Sequence, residues 1–424
     1  MTAMKRREFL SLGALAAAGA LVTTRVAFAG AAGARKPRLV LVIMRGALDG
    51  LAAVPPYADP DYASLRRDVA LRAPGGSGGA LPLDGFFGLH PALAFLQQSY
   101  AARELLVLHA VASPYRERSH FDGQDVLENG SVHAHALQSG WLNRALARLP
   151  GALPRESGVA LGQNVPLVMR GPAQVTSWSP TKLGALDEET LARISDLYSK
   201  DPLLSVRLAD ALAADAIVAE EGAGAGGMTM VSTTGDATVS GAAQPLRAAQ
   251  AYNARYAQVV KAAAGFLRQE DGPRVAVFDT TGWDTHANEG GAEGQLAGRL
   301  GALDQGLATL KQELGPVWAD TAVLLVTEFG RTAAVNGTRG TDHGTAAAAF
   351  LAGGAVAGGR VLADWPGLSS RALYQGRDLA PTLDLRSLFK GVLAEHMGVP
   401  ARALEDEVFP DSRAAQPLRG LVRA

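Results

Sequence analysis

Apolar runs and helical patterns alternate along the chain. The first run, PRLVLVIM (Pro37–Met44), is continuous and rich in β-branched residues, which predicts a strand buried on both faces. HPALAFLQQSY (His90–Tyr100) has helical spacing, and ELLVLHA (Glu104–Ala110) predicts the next buried strand. SHFDGQDVLENG and SGWLNRALARL read as helices, followed by shorter strand candidates near Val159 and at Val165–Met169. From about residue 186 to 270 helical spacing predominates, interrupted by the Gly/Ala/Ser/Thr-rich EEGAGAGGMTMVSTTGDATVSGAA. That part predicts a helical cap or insertion with a mobile loop. Strand rhythm then returns in RVAVFDT (Arg274–Thr280), the helix AEGQLAGRLGALDQGLATLKQEL, TAVLLVTEF (Thr321–Phe329), AAAAFLAGG and a C-terminal helix around Leu383–His396. The order predicts an α/β fold, a doubly wound and mostly parallel sheet covered on both faces.

Ligands of such sheets sit beyond the carboxyl ends of the strands. Ionisable residues gather at those positions here. Arg45 and Asp49 follow the first strand, VASPYRERSHFDGQD the second, TGWDTHANEGG follows RVAVFDT, and EFGRT follows TAVLLVT. The strand pattern therefore predicts a site at one rim.

The N-terminus changes the picture of where this chemistry takes place. MKRREFLSLGALAAAGALVTTRVAFAG has a basic start, a short apolar run and AFA before Gly30, the layout of a cleaved export signal covering residues 1–29. Arg6 and Arg7 followed by Phe9 and Leu10 resemble a twin-arginine signal, which implies the twin-arginine translocase as export partner and a periplasmic or extracellular destination. Residues 30–424 would then form the mature α/β domain. Removing Lys5, Arg6, Arg7 and Arg25 together with Glu8 takes the formal net charge from −1 to about −4, near neutral for this length, which argues against a nucleic-acid partner. No later apolar run is long enough for a stable membrane span. The chain has no cysteine, so any metal must use His, Asp, Glu or hydroxyl ligands.

Candidate chemistry concentrates in three segments. GWDTHA offers Asp284 and His286, a carboxylate and an imidazole suited to Zn, Mn or a similar divalent ion. RGTDHGT adds Asp342 and His343 among small residues that let backbone and ion approach closely. In RSHFDGQD, Ser119 and Asp122 have the capping-box spacing of a helix start. A hydroxyl there also sits where free amides attract anions, so Ser119 is a nucleophile candidate, with His120, Arg116 and Arg118 as anion contacts. Glu328 and Asp49, each just after a strand, read either as metal ligands or as solvated loop carboxylates. His90, His109, His133, His135 and His396 lack comparable carboxylate neighbours and read as structural or surface residues.

Taken together, LDGLAAVPPYADPDY, RSHFDGQDVLENG, SGWLNRAL, GWDTHANEGG, LLVTEFGRT and GTDHGTAAAAFLAGG resemble the domain of unknown function 1501 family over nearly the whole mature chain. That family is similar to sulfatases within the alkaline-phosphatase-like superfamily. The resemblance implies a sulfatase-like sheet with one or two divalent ions (Zn, Mn, Mg or Ca) at the carboxyl rim. It makes Asp49 the first-strand ligand and Ser119 the nucleophile. Asp284, His286 and His343 would form one metal site, with Asp342 behind it, and Glu328 would stand at the superfamily's Asp of an Asp-His pair. Phe329 occupies the place of the histidine of that pair, which leaves a second site short of a nitrogen ligand. The implied function is an exported hydrolase of a small-molecule or polymer phosphate or sulfate ester, with Arg45 or Arg116 holding the nonbridging oxygens. The alternative is a non-catalytic envelope protein of the same fold with a structural metal or an assembly role.

Overall fold

The computed structural model describes residues 36–151, 157–180 and 243–423, with isolated positions between 198 and 208. It divides into Met1–Lys36 and Pro37–Ala424, and the elements described all belong to the second unit. The expected export signal and most of the expected cap fall outside the described residues.

Among the described residues nine strands form the main sheet: β1 (Arg38–Arg45), β2 (Leu105–Ala112), β3 (Gly158–Leu161), β4 (Val175–Trp178), β5 (Val275–Thr281), β6 (Thr321–Val326), β7 (Ala347–Ala352), β8 (Arg360–Leu362) and β9 (Leu383–Asp384). The helices include α1 (Gly50–Ala53), α2 (Tyr62–Arg66), α3 (Ala94–Ala101), α4 (His120–Asn129), α5 (Trp141–Leu146), α6 (Ala243–Arg268), α7 (Gln295–Leu314) and α8 (Leu385–Glu395). The strand order is β8-β2-β7-β6-β1-β5-β3-β4, with β9 also on β2. Central β1 pairs in parallel with β5 and β6, whereas β7 runs antiparallel to both β2 and β6. The sheet is therefore mixed but mostly parallel.

Alternation along β1 shows why the sheet is covered on both faces. Val40, Val42 and Met44 join one apolar cluster with α3, α6 and α7, and Leu39, Leu41 and Ile43 join the other with α5 and α8. Two expectations are corrected here. Val165–Met169 is not a strand: Pro166 cannot donate to a ladder, and Leu167–Met169 closes into a short 3₁₀ turn, the neighbouring strand being β4 instead. The last part of the expected cap, α6, is a sheet-covering helix, since Tyr256, Val260 and Phe266 pack in one cluster with Phe278, Leu303 and Leu307. Its amphipathic spacing fits either role, and only the partner surface decides between them. Among the described residues no helix is long and apolar enough to cross a membrane.

Candidate functional site

Five segments meet at the carboxyl rim. The exits of β1, β5 and β6 deliver Gly46, Asp284 and Glu328, and the N-terminus of α4 delivers His120. The fifth, the Asp342–His343 segment, precedes antiparallel β7 and so enters the rim from the opposite chain direction. Close backbone approach makes this convergence possible. Gly46 has φ +119°, and a Cβ there would stand 2.7 Å from the Asp284 amide nitrogen. At Gly340 a Cβ would come within 2.3 Å of the His286 carbonyl carbon, which is why small residues flank the Asp342–His343 pair.

Three imidazoles surround one carboxylate. Asp284 Oδ1 lies 3.0 Å from His286 Nε2 and 3.2 Å from His343 Nε2, and its Oδ2 is 3.4 Å from His120 Nε2. His286 Nε2 and His343 Nε2 are themselves 3.0 Å apart. His120, Asp284 and His343 each bring a ligand-type atom within 4.8 Å of the others. The outer nitrogen of every ring faces an acceptor. His120 Nδ1 is 2.8 Å from Glu328 Oε1, His286 Nδ1 is 3.1 Å from Asp342 Oδ1, and His343 Nδ1 is 2.9 Å from the Arg118 carbonyl. With Nδ1 as the donor in each ring, the neutral imidazoles turn three Nε2 lone pairs toward a carboxylate, an arrangement that only a proton or a metal cation between the groups satisfies. Lone pairs do not attract a carboxylate, and the buried His120 Nε2 has no hydrogen-bond partner. Such an arrangement asks for a cation between the groups, and acceptor-fixed imidazoles around a carboxylate suit a divalent metal.

The electrostatics agree. Buried Arg331 places Nη1 2.5 Å from Asp284 Oδ1, and although burial pushes the Asp284 carboxyl up, Arg331 together with His286 and His120 holds it below its ordinary value. Glu328 is 0 % exposed, which removes the solvated-carboxylate reading. Burial opposes its charge, but hydrogen bonds from His120, Gln124 and the Gly46 amide keep its carboxyl below the usual range. Its bond to His120 raises that imidazole, while burial lowers His343. Phe329 is no ligand; it stacks on His120 with ring centroids 5.0 Å apart and walls the site.

The structure thus brings together His120, Asp284, His286, Glu328, Asp342 and His343, with Glu328 and Asp342 behind the histidines. His120, expected as an anion contact, sits in the metal-type cluster. Ser119 occupies the N-cap of α4, but its side chain makes no capping bond, and Asp122 lies 3.3 Å from His135 Nε2 instead of completing the expected capping box. Arg116 donates to the Ser113 and Tyr115 carbonyls, and Arg45 pairs with Asp279 at 2.6 Å and Glu128 at 2.8 Å, so both expected oxygen-holding guanidiniums already have protein partners. Arg118 pairs with Asp378. Arg331, Gln124 and Phe329 are the site residues that sequence reasoning did not single out as contributors. The EFGRT motif held the signal for two of them.

Asp49 is the clearest correction. Its carboxylate caps α1 through the Ala52 amide and pairs with Arg66 at 2.5 Å, and Glu289 lies 3.3 Å from the same guanidinium. All three are buried, so Asp49 is neutralised inside the protein and takes no part in the cluster. Burial and the Asp49 charge raise Glu289 to about 8. Asp49 itself, against burial, is held low by Arg66 and by its hydrogen bond with Glu289. The stability contributed by protonated Glu289 is complete below its ordinary 4.5 and is lost as pH rises through about 8. Glu289→Gln is therefore expected to flatten the fall of the urea midpoint over that window. Equal slopes in both proteins would refute the protonated state.

Against known proteins, the family model described as "Protein of unknown function (DUF1501)" matches residues 106–408, a span that holds the whole cluster but neither Arg45 nor Asp49. Among solved structures the chain is similar to Ps i-CgsB in complex with k-i-k-neocarrahexaose, at 9% identity and a TM-score of 0.40, covering 90% of this chain and 77% of that one. It is also similar to a second structure, described as Ps i-CgsB, at 11% identity and a TM-score of 0.32, covering 88% and 74%. No curated protein matches the chain.

Proposed function

Since the chain belongs to the DUF1501 family of proteins of unknown function, we propose that it is a twin-arginine-exported, metal-dependent hydrolase of phosphate or sulfate esters with an alkaline-phosphatase-like core. One observation carries the reading: three histidines with their outer nitrogens committed to acceptors converge on Asp284. His120, Asp284, His286 and His343 would hold a single ion. A divalent ion bound there supplies Lewis acidity toward an ester oxygen and lowers the pKa of a nearby hydroxyl. Asp49 is committed to Arg66, and Glu328 to His120 and Gln124, so these carboxylates are not available for a second ion.

Ser119 is the proposed nucleophile. Its hydroxyl is not used in capping, and the free amides at the start of α4 favour an anion. Gln124 links the cluster to a cavity of about 640 Å³ lined by Arg45, Phe121, Glu128, Asp279 and Tyr252. The histidines do not line that cavity, so a substrate would place its body there and its ester at the cluster only by reaching past Gln124. Phe121, 87 % exposed beside His120, offers an apolar surface at the boundary between the two.

The second reading, an envelope protein with a structural ion, is favoured by the arginines: Arg45 and Arg116 are committed to protein partners and leave substrate oxygens without them. The two readings separate on exported protein assayed with aryl phosphate, phosphodiester and aryl sulfate. The hydrolase reading expects turnover that a chelator abolishes and that Ser119→Ala lowers by several orders of magnitude. No turnover, with a chelator that lowers only the Tm, would replace it with the structural reading.

A further inference from the structure

Arg118 has φ +62°, a left-handed conformation that a residue with a side chain adopts at a cost. In that conformation its carbonyl meets His343 Nδ1 at 2.9 Å. Its own side chain is anchored: Nε and Nη2 lie 2.9 and 2.7 Å from Asp378 Oδ2, and Nη2 is 2.8 Å from Gln375 Oε1. Asp378 is 0 % exposed and sits in a turn whose backbone pairs with Thr332 and Tyr374. The adjacent Arg377 donates Nη2 to the His343 carbonyl at 2.7 Å. The turn thus grips His343 twice, directly at its backbone and through Arg118 at its ring.

We propose that Asp378, acting through Arg118, is a positioning residue for His343. It holds the Arg118 carbonyl where that oxygen fixes the Nδ1–H tautomer and aims Nε2 at Asp284. The consequence for metal affinity rests on the reading of the cluster as a metal site, whereas the tautomer does not. Supporting partners of this kind typically change metal affinity about 10–100-fold.

The test uses metal-free protein with ¹⁵N-labelled histidine for the tautomer and zinc competition with a chelating dye for affinity. Parent protein is expected to show His343 as Nδ1–H. Asp378→Asn and Arg118→Gln are each expected to lose that single tautomer and to weaken zinc binding about 10–100-fold. The double variant is expected to be no weaker than either single one, because the two residues act in series. An unchanged tautomer in Asp378→Asn, or losses that multiply in the double variant, would overturn the proposal. Should Asp378→Asn fail to fold, Arg118→Gln carries both readings, its side chain being 20 % exposed. A parent protein with the tautomer fixed and no zinc bound would remove the metal reading and leave this one standing.

Discussion

Asp284→Asn is expected to lower affinity for a divalent ion by more than about 100-fold, beyond what loss of a supporting contact causes. Asp284 faces all three Nε2 atoms, so its charge is the common element of the cluster. Asparagine keeps an oxygen for Arg331 Nη1, whose neighbours Nε and Nη2 are already bonded to Thr341, so the buried guanidinium stays satisfied and folding is kept out of the comparison. Affinity is read by zinc competition at neutral pH, because protons compete with metal for the imidazoles as pH falls, the more so at His120, which Glu328 raises. Parent-like affinity in Asp284→Asn would mean that the Asp284 carboxylate is not a ligand.

Arg66→Met is expected to lower the unfolding free energy by about 3–5 kcal/mol, the range for removing one partner of a buried ion group. Arg66 is 0 % exposed and is the cation between Asp49 and Glu289. Without it Asp49 is a buried carboxylate facing a second carboxyl group, and proton sharing with Glu289 relieves only part of that burden. Arg402→Ala, which removes a 94 % exposed partner of Asp406, is expected to show no measurable change. Urea unfolding of the three proteins checks both statements, and a small effect of Arg66→Met would show that the triad is loosely packed or wet.

The strand-by-strand reading located the rim because continuous apolar runs such as PRLVLVIM and TAVLLV are buried on both faces, and chemistry can only begin where they end. Asp284, His286 and His343 were legible for that reason and because each pair of ligand-type residues has a glycine within two positions, Gly282 for one and Gly344 for the other. What failed did so on partners distant in sequence. Asp49 and Glu328 occupy equivalent positions after strands, yet one meets Arg66 and the other meets His120, 208 positions away, and no local pattern separates the two. His343 reaches the rim by preceding an antiparallel strand, a direction that the AAAAFLA run does not encode. Likewise α6 is amphipathic in any setting, and its place against β5 and α7 is a tertiary fact.

Crystals of the protein soaked in zinc or manganese, measured at the metal's absorption edge, would locate the ion directly. The expected map has one anomalous peak per chain at about 2.0–2.2 Å from nitrogen and oxygen ligands of His120, Asp284, His286 and His343. No peak there, or a peak at Asp49 and Glu328 instead, would contradict the single-metal site on which the proposed chemistry depends.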